Sequence, residues 1–319
     1  MAFVQTSHGP TIDFKTTSGV IQGDTLAPVL FIIVVDYVLR RCLEDEDSLV
    51  LRPRRSSRHP ETVLPALAYA DDIALLCRNP DSAQRTLTRL CGEAARVGLC
   101  INSRKTEVLH LGQSPTAALK LPGGEEISRC QDFRYLGSLV SSPEVILSER
   151  RAQAWRASHL LRKFFNSKAK DDSKVRLFRA AVEPILLYGL EALPMTPTRE
   201  RVLDAHYRAL LRNALGIHYP ELISTRELVS RTRAPALNVT LRRRRQRLLG
   251  HSLRSHERGN NIPLAMALLH PPTERLRRGH SRTQTLLQTF EKDLAQLGLT
   301  PATTTSVSPA LFSQRVCAN

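Results

Sequence analysis

The sequence Ala68-Tyr69-Ala70-Asp71-Asp72-Ile73-Ala74-Leu75-Leu76 places two adjacent carboxylates between the two apolar blocks of segment 63–76. This pattern predicts a strand, a tight turn and a second strand, with Asp71 and Asp72 at the tip. Two carboxylates in a confined volume repel each other unless cations offset their charge. Hard divalent cations such as Mg²⁺ take oxygen ligands and usually need few protein carboxylates. Taken alone, an Asp-Asp pair is more often part of an ordinary turn.

The segments on both sides of this pair predict an α+β fold. Val29–Leu43 is an apolar run long enough for a buried helix, and the charged segment 44–62 indicates an exposed loop. Asp81 with Gln84 predicts a capping box at the start of a helix that Gly98 ends. Short β-like stretches follow up to residue 140. The helices predicted after them cover residues 148–168, 173–188, 202–215, 241–253 and 282–297.

The charge of the chain is concentrated in its second half. The 319 residues carry 46 Lys+Arg and 30 Asp+Glu, a formal net charge of +16. Residues 1–150 contain 17 Lys+Arg and 18 Asp+Glu, a net charge of −1. Residues 151–319 contain 29 Lys+Arg and 12 Asp+Glu, a net charge of +17. Such a basic region favours a polyphosphate partner, although a solvated basic surface gives the same count. The four consecutive arginines 242–245 cover every side of a helix, so some must face inward or toward a partner.

Composition and motifs argue against several other classes of protein. With 42% hydrophobic and 24% charged residues, the chain is not of the disordered type. Its six cysteines form no Cys-x-x-Cys pair, which argues against a disulfide framework or a zinc site. The longest apolar stretch, 26–39, contains Pro28 and Asp36 and is shorter than the ~20 residues that span a bilayer. Because no signal-peptide pattern opens the chain, we expect an intracellular protein of the nucleus or cytoplasm.

Six motifs in collinear order carry a family resemblance. They are Ser18–Phe31, Ala68–Leu76, Gly98–Glu107, Phe133–Gly137, Glu183–Glu191 and Arg244–His251. The first four resemble, in order and spacing, the palm of reverse transcriptases from non-LTR (LINE-type) retrotransposons. The last two are similar to the region after the palm in the same elements. One such motif could arise by chance, whereas six in the same order indicate the family.

The resemblance implies a domain organisation and an activity. Residues 1–147 would be a partial right-hand polymerase palm, 148–220 a helical thumb-like region, 221–299 a basic helical C-terminal region and 300–319 a flexible tail. The complete enzyme would be an RNA-directed DNA polymerase that adds dNTPs to a DNA primer 3′-OH on an RNA template. Two Mg²⁺ ions, or Mn²⁺, would assist this nucleotidyl transfer.

The resemblance also assigns roles to individual residues. Asp71 would be a catalytic metal ligand, and Asp72 a weaker metal ligand or an electrostatic partner of Asp71. Lys105 would protonate the leaving pyrophosphate, although a phosphate-binding or solvated lysine fits equally well. The residues that would bind template, primer or nucleotide are Gly19, Gln22, Gly23, Tyr69, Tyr135, Leu136 and Gly137, the last three as a primer grip. The residues that would contact the nucleic-acid backbone are Arg242, Arg243, Arg244, Arg245 and Arg247.

One part of the family pattern is missing from the sequence. These polymerases carry a further catalytic aspartate, usually in Phe-x-Asp-x-x-x-Ala-Phe-Asp, upstream of the Gln22-Gly23 segment. Here the only aspartate before that segment is Asp13, nine residues ahead of Gln22 and too close by family spacing. We therefore expect an N-terminally truncated polymerase that is inactive alone. The alternatives are a non-catalytic nucleic-acid-binding remnant that uses the basic half, and a translated relic without a selected function.

Overall fold

The chain folds as two compact units. The computed structural model describes residues 5–6, 9–10, 23–52, 54, 56, 61–111, 118–221, 223–257, 286–296 and 298–300. One unit comprises Met1–Val50 and Glu61–Cys130, and the other comprises Leu51–Pro60 and Gln131–Asn319. Helices and short sheets occur in both units, which confirms the α+β class. Within the described residues, no helix is long and apolar enough to cross a membrane.

The first unit combines two long helices with short strands. Its helices are α1 (Ala27–Cys42) and α2 (Pro80–Arg96). Its strands are β1 (Gln5–Thr6), β2 (Gly9–Pro10), β3 (Leu49–Arg52, crossed by the unit boundary), β4 (Thr62–Leu64), β5 (Ala66–Tyr69), β6 (Asp72–Leu75), β7 (Glu107–Leu109) and β8 (Ser128–Cys130). β5 pairs with β6 in antiparallel and β7 with β8 in parallel orientation. Every sheet in the described ranges has two strands.

Helix α2 has a different cap from the one that the sequence predicts. The Asn79 carboxamide accepts a hydrogen bond from the Ser82 N–H at 2.8 Å, and the Ser82 hydroxyl accepts one from the Asn79 N–H at 3.1 Å. Asn79 and Ser82 therefore form the capping box, and the prediction of Asp81 with Gln84 is wrong by two residues. Gly98, predicted to end this helix, has a φ of 76° just after it.

Helix α1 is present as predicted, but it is buried only in part. Val38 and Cys42, near its C-terminal end, form a small core with Leu90 and Ala94 of α2. Large apolar side chains on the rest of α1 each expose at least half of their surface; this apolar face consists of Leu26, Val29, Leu30, Ile32, Ile33 and Tyr37. The prediction of a fully buried helix is wrong, because an apolar sequence gives no information on whether a packing partner lies within reach.

The charged segment after α1 is not simply an exposed loop. It contains a 3-10 turn at Asp45–Asp47 and strand β3, and Asp47 is buried. The Asp47 carboxylate accepts hydrogen bonds from Arg85 and, at 2.7 Å, from Arg89 of α2. These guanidinium groups, Arg85 first, lower the pKa of Asp47. The loop prediction fails here because this acid finds two arginine partners on the next helix.

The second unit is mainly helical. It opens with the antiparallel hairpin of β9 (Phe133–Tyr135) and β10 (Ser138–Val140). The helices are α3 (Pro143–Leu160), α4 (Arg162–Phe165), α5 (Asp171–Ala181), α6 (Glu183–Leu187), α7 (Pro197–Leu215), α8 (Thr225–Thr232), α9 (Leu237–Glu257) and α10 (Leu286–Ala295). The predicted helix 173–188 is divided at Val182, since Pro184 starts a new helix. Helix α8, which Ser224 caps, was not predicted from the sequence.

The core of the second unit is a cluster of buried apolar side chains from α3 to α9. Phe165, Phe178, Leu186 and Leu210 are among its fully buried members. Tyr207 packs edge-on against Phe178 and donates a hydrogen bond from its hydroxyl to Glu183 at 2.8 Å. This cluster fixes the helices that hold the β9–β10 hairpin.

Candidate functional site

Asp71 and Asp72 lie at the tip of the β5–β6 hairpin, as the sequence predicts. The strands pair Tyr69 with Asp72, so Ala70 and Asp71 form a two-residue turn. Ala70 has a φ of 53°, the left-handed conformation that such turns require. Both carboxylates are exposed to solvent. They are therefore presented at the end of a short ribbon where a cation or a phosphate-bound ligand can reach them.

The chemistry of these two donors suits Mg²⁺. Adjacent carboxylate oxygens are hard ligands, and Mg²⁺ completes its coordination with water and phosphate oxygens. The described residues contain no group of three His, Cys, Asp or Glu side chains that could hold a metal ion. Asp13, the other acid considered, lies outside the described residues. If a metal ion binds here, the hairpin offers at most two side-chain carboxylates to it, and other groups would have to provide the remaining ligands.

Two of the four template- or substrate-binding residues predicted in the first unit are described. Gly23 has a φ of 97°, a conformation that favours glycine, and it lies just before α1. Tyr69 is exposed over 65% of its surface beside the carboxylate turn. Gly19 and Gln22 lie outside the described residues.

Lys105 lies on a turn that Asn102 holds. The Asn102 carboxamide oxygen accepts a hydrogen bond from the Lys105 N–H at 3.2 Å, and its carbonyl oxygen accepts one from the Thr106 hydroxyl at 2.8 Å. Asn102 thus caps this turn. The Lys105 side chain is exposed. The described residues record no ion pair between Lys105 and either aspartate, and its role in proton transfer stays a prediction.

Tyr135, Leu136 and Gly137 lie in the β9–β10 hairpin of the second unit. Leu136 and Gly137, with φ of 49° and 73°, form the two-residue turn. The Tyr135 ring stacks with Phe133 at a centroid distance of 6.4 Å. The predicted organisation places these residues in a palm of residues 1–147, and that scheme stays a prediction, since compact units need not coincide with functional domains.

Two residues without a predicted role contact this turn. The Tyr188 hydroxyl donates a hydrogen bond to the Leu136 carbonyl oxygen at 2.7 Å, and Arg150 Nη2 donates one to the Gly137 carbonyl oxygen at 2.6 Å. Tyr188 is part of the motif Glu183–Glu191, and its position beside Leu136 links two motifs that are distant in sequence. No signal in the sequence points to these two contacts, because each donor binds a backbone carbonyl oxygen that any residue provides.

Arg245 is buried inside the protein and paired with an acid. It is buried, and its guanidinium forms two hydrogen bonds with the Asp293 carboxylate of α10, at 2.6 and 3.1 Å. The inference that some of the arginines 242–245 must face inward is confirmed by this pair. In this fold Arg245 is not available to a phosphate, because its guanidinium is enclosed and already bound to a carboxylate.

The other arginines of this run are more accessible. Arg242, Arg243 and Arg244 are half-buried. Arg244 donates to Glu191 at 3.5 Å, and Arg242 donates to Gln296. Arg247 is exposed. The prediction of nucleic-acid contacts therefore rests mainly on Arg247 and on exposed basic residues elsewhere in this unit.

A comparison with protein families agrees with this geometry. Residues 2–140 match the family model described as reverse transcriptase (RNA-dependent DNA polymerase). The matched segment includes both the β5–β6 hairpin, which carries Asp71 and Asp72, and the Leu136–Gly137 turn. This match and the similar proteins confirm the resemblance to reverse transcriptases of non-LTR retrotransposons.

The similar proteins include polyproteins of retrotransposable elements. The Pol polyprotein of the type-1 retrotransposable element R2 of Popillia japonica is 28% identical over 268 residues, which are 80% of this chain and 35% of that protein. The R2 polyprotein of Nasonia vitripennis is 31% identical over 139 residues, 40% of this chain and 13% of that protein. A transposon-derived protein of Caenorhabditis elegans is 28% identical over 157 residues, 47% and 56% of the two chains. The chain spans about a third of the first relative and about half of the third.

Proposed function

We propose that this chain is the palm and thumb part of a retrotransposon reverse transcriptase, in which Asp71 and Asp72 bind Mg²⁺ at the site of nucleotidyl transfer. The observation that supports this most strongly is the position of both carboxylates at an exposed hairpin tip within the family match at residues 2–140. In the reaction, the primer 3′-oxygen forms a bond to the α-phosphorus of a dNTP and pyrophosphate leaves. Bound Mg²⁺ would neutralise phosphate charge and favour ionisation of the attacking hydroxyl.

Residues around the carboxylates would place the substrates. Gly23 leaves its backbone open on the solvent side, where a Cβ would meet nothing within 4 Å, and a template strand can approach it closely. Tyr69 offers an exposed ring beside the carboxylates for a nucleotide. Lys105, exposed on its Asn102-capped turn, would give a proton from Nζ to an oxygen of the leaving pyrophosphate. The Tyr135–Gly137 turn would hold the primer 3′ end.

The metal site can be tested without polymerase activity. Fe²⁺ with ascorbate replaces Mg²⁺ and cleaves a polypeptide beside its binding site, and fragments are read by mass spectrometry. We expect cleavage near residues 69–73 in the full chain, and its loss in Asp71→Asn and Asp72→Asn. Asp81→Asn is the matched control, because Asp81 is an exposed aspartate of the same unit. Cleavage that persists in both hairpin variants would contradict the proposed ligands.

We further propose that the 319-residue chain alone does not extend a primer. The two carboxylates of the hairpin provide one part of a two-metal site, and the described residues add no third acid to it. The assay is extension of oligo(dT) on poly(rA) with Mg²⁺ or Mn²⁺. Synthesis by the wild-type chain that Asp71→Asn abolishes would show that the site is complete and would overturn this part of the proposal.

A non-catalytic nucleic-acid-binding remnant is the second candidate, and the charge of +17 in residues 151–319 favours it. Binding of the full chain to poly(rA)/oligo(dT) should weaken steeply with salt. Replacing Arg247 with Ala should reduce the slope of log K against log salt by about 1. Arg40→Ala is the control, because Arg40 is exposed but paired with Asp36. Salt-dependent binding without Fe²⁺ cleavage at the hairpin would favour the remnant.

A further inference from the structure

The turn at Leu136-Gly137 lacks the sequence that would stabilise it. Both residues have positive φ, 49° and 73°, as in the two-residue turns that strongly prefer Asn-Gly or Gly-Gly. Leucine is disfavoured in this region because its Cβ crowds the backbone. The Leu136 side chain is 40% exposed, so burial of that side chain offsets little of the cost. The conformation of this turn must be supported by groups outside the hairpin.

Two side chains provide this support. Tyr188 Oη donates a hydrogen bond to the Leu136 carbonyl oxygen at 2.7 Å, and Arg150 Nη2 donates one to the Gly137 carbonyl oxygen at 2.6 Å. The Arg150 guanidinium lies over the Tyr188 ring, 4.8 Å from its centroid, so each donor also fixes the other. Consecutive carbonyl groups of the turn are thus bound from helix α3 and from the segment after α6.

Arg150 is itself held in place by its neighbours on α3. It is 4% exposed, and its Nη1 donates to Gln153 Oε1 at 2.9 Å. The Gln153 carboxamide donates to Glu149 Oε1, also at 2.9 Å, and Glu149 accepts from Arg134 of β9. The network therefore returns to the hairpin that it supports. Arg150 is thus a buried donor whose two Nη atoms are both hydrogen-bonded.

The backbone after Tyr188 also approaches the hairpin closely. Gly189 has a φ of 74°, and a Cβ built on it would lie 3.0 Å from Ser138 Oγ of β10. A larger residue would push the Tyr188 segment away from the hairpin or move Ser138. The position of the Tyr188 hydroxyl over the turn thus depends on glycine at the next residue.

We infer that Arg150 and Tyr188 are positioning residues that fix the Tyr135–Gly137 turn to the helices of the second unit. The inference rests on the proposed function, in which this turn holds the primer 3′ end. It assigns to the two residues the task of keeping the primer terminus at one place relative to α3 and α6. Neither side chain needs to touch the nucleic acid for this purpose.

The support of the turn can be measured directly by hydrogen exchange of the full chain. Tyr188→Phe removes one donor and keeps the ring, and Arg150→Lys removes the forked donor and keeps the charge. Each variant should speed amide exchange in peptide 133–140 by about five-fold, the effect of one hydrogen bond. Unchanged exchange in both variants would overturn the inference.

Matched controls in the same unit separate this effect from general destabilisation. Tyr207→Phe removes a hydroxyl that donates to Glu183, and Arg199→Lys alters a guanidinium that donates to the Pro194 carbonyl oxygen at 2.8 Å. Both losses are of the same chemical kind but lie away from the turn. We expect no change in the exchange of peptide 133–140 in either control. An equal increase in the controls would mean that the hairpin responds to stability in general, which would overturn the inference.

A second measurement tests the position of the primer. An oligo(dT) primer with a 3′-terminal 4-thiothymidine, annealed to poly(rA), crosslinks to the protein on irradiation. We expect wild-type chain to crosslink within peptide 133–140. Tyr188→Phe and Arg150→Lys should each lower the yield of this crosslink several-fold. The affinity of each variant for the primer–template hybrid should change less than two-fold. If both variants crosslink at this peptide as efficiently as the wild-type chain, the inference is wrong. Hybrid binding by wild-type chain with no crosslink to this peptide would instead overturn the proposed role of the turn.

Discussion

The Arg245 guanidinium and the Asp293 carboxylate form a buried ion pair between α9 and α10. The two side chains are 5% and 7% exposed, and both guanidinium–carboxylate hydrogen bonds are of normal length. Gln246 adds a hydrogen bond to the Asp293 carbonyl oxygen at 3.2 Å. An arginine from the most basic stretch of the chain is thus part of a helix–helix contact.

Removing one partner of this pair should destabilise the protein strongly. We expect Arg245→Ala to lower the free energy of unfolding by about 3–5 kcal/mol, because the Asp293 carboxylate would stay buried and unpaired. The measurement is urea unfolding followed by circular dichroism. Arg247→Ala alters an exposed neighbour and should change the free energy of unfolding by less than about 0.5 kcal/mol. The double variant Arg245→Met/Asp293→Leu should recover most of the lost free energy of unfolding. If the double variant is as unstable as Arg245→Ala, this account is wrong.

Stability should depend on pH through His206. Burial, and next the positive charge of Arg151, whose Nη1 lies 2.8 Å from His206 Nε2, lower the pKa of the imidazole. The unfolded chain, with a histidine pKa of about 6.5, therefore binds this proton more readily than the folded chain. The stability due to neutral His206 is complete above about pH 6.5 and decreases as the pH falls toward the folded-state pKa.

The urea midpoint should accordingly fall between about pH 7.5 and pH 5.5. His206→Gln removes the titrating group and should make this fall smaller. The same pH dependence in wild type and variant would contradict the assignment to His206.

Cysteine reactivity should report the packing of α1 on α2. Cys42 is fully buried, and burial raises the pKa of its thiol to about 11. Cys100 is exposed. Because the thiolate is the reactive form, iodoacetamide at about pH 8 should modify Cys100 in the native chain and Cys42 only after addition of urea. Peptide mass spectrometry reads each site separately, and equal rates in native protein would contradict the packing of α1.

The apolar face of α1 should tolerate polar residues. Leu30→Gln and Ile33→Gln should change the free energy of unfolding by less than about 0.5 kcal/mol each, because both side chains are at least half exposed. Val38→Gln, at a buried position of the same helix, should cost about 2 kcal/mol or more. The two exposed substitutions should also reduce binding of the dye ANS. Similar losses of stability at all three positions would show that this face is covered.

The sequence predicts the local features of the site better than its surroundings. The hairpin that carries Asp71 and Asp72 and the end of helix α2 at Gly98 follow from residue types and hydrophobic pattern, and the structure confirms them. Such features depend on neighbours in sequence. Periodicity likewise locates α7 and α9, whereas the predicted helix 148–168 is divided into α3 (Pro143–Leu160) and α4 (Arg162–Phe165).

Features that depend on distant partners were not predictable. The burial of Asp47 requires two arginines on α2, and the environment of Arg245 requires Asp293, 48 residues further along the chain. A charged residue in a sequence shows no sign of its partner. The contact of Arg150 was not predictable for the same reason, since it binds a backbone carbonyl group that any residue could provide.

The two donors on the Leu136–Gly137 turn limit where this chain can be divided. The family match ends at residue 140, whereas the residues that hold the turn are 150 and 188. A fragment cut at the end of the family match would keep the hairpin and lose both donors. A chimaera that joins α3 and α6 to a related first unit should therefore carry the hairpin together with these helices.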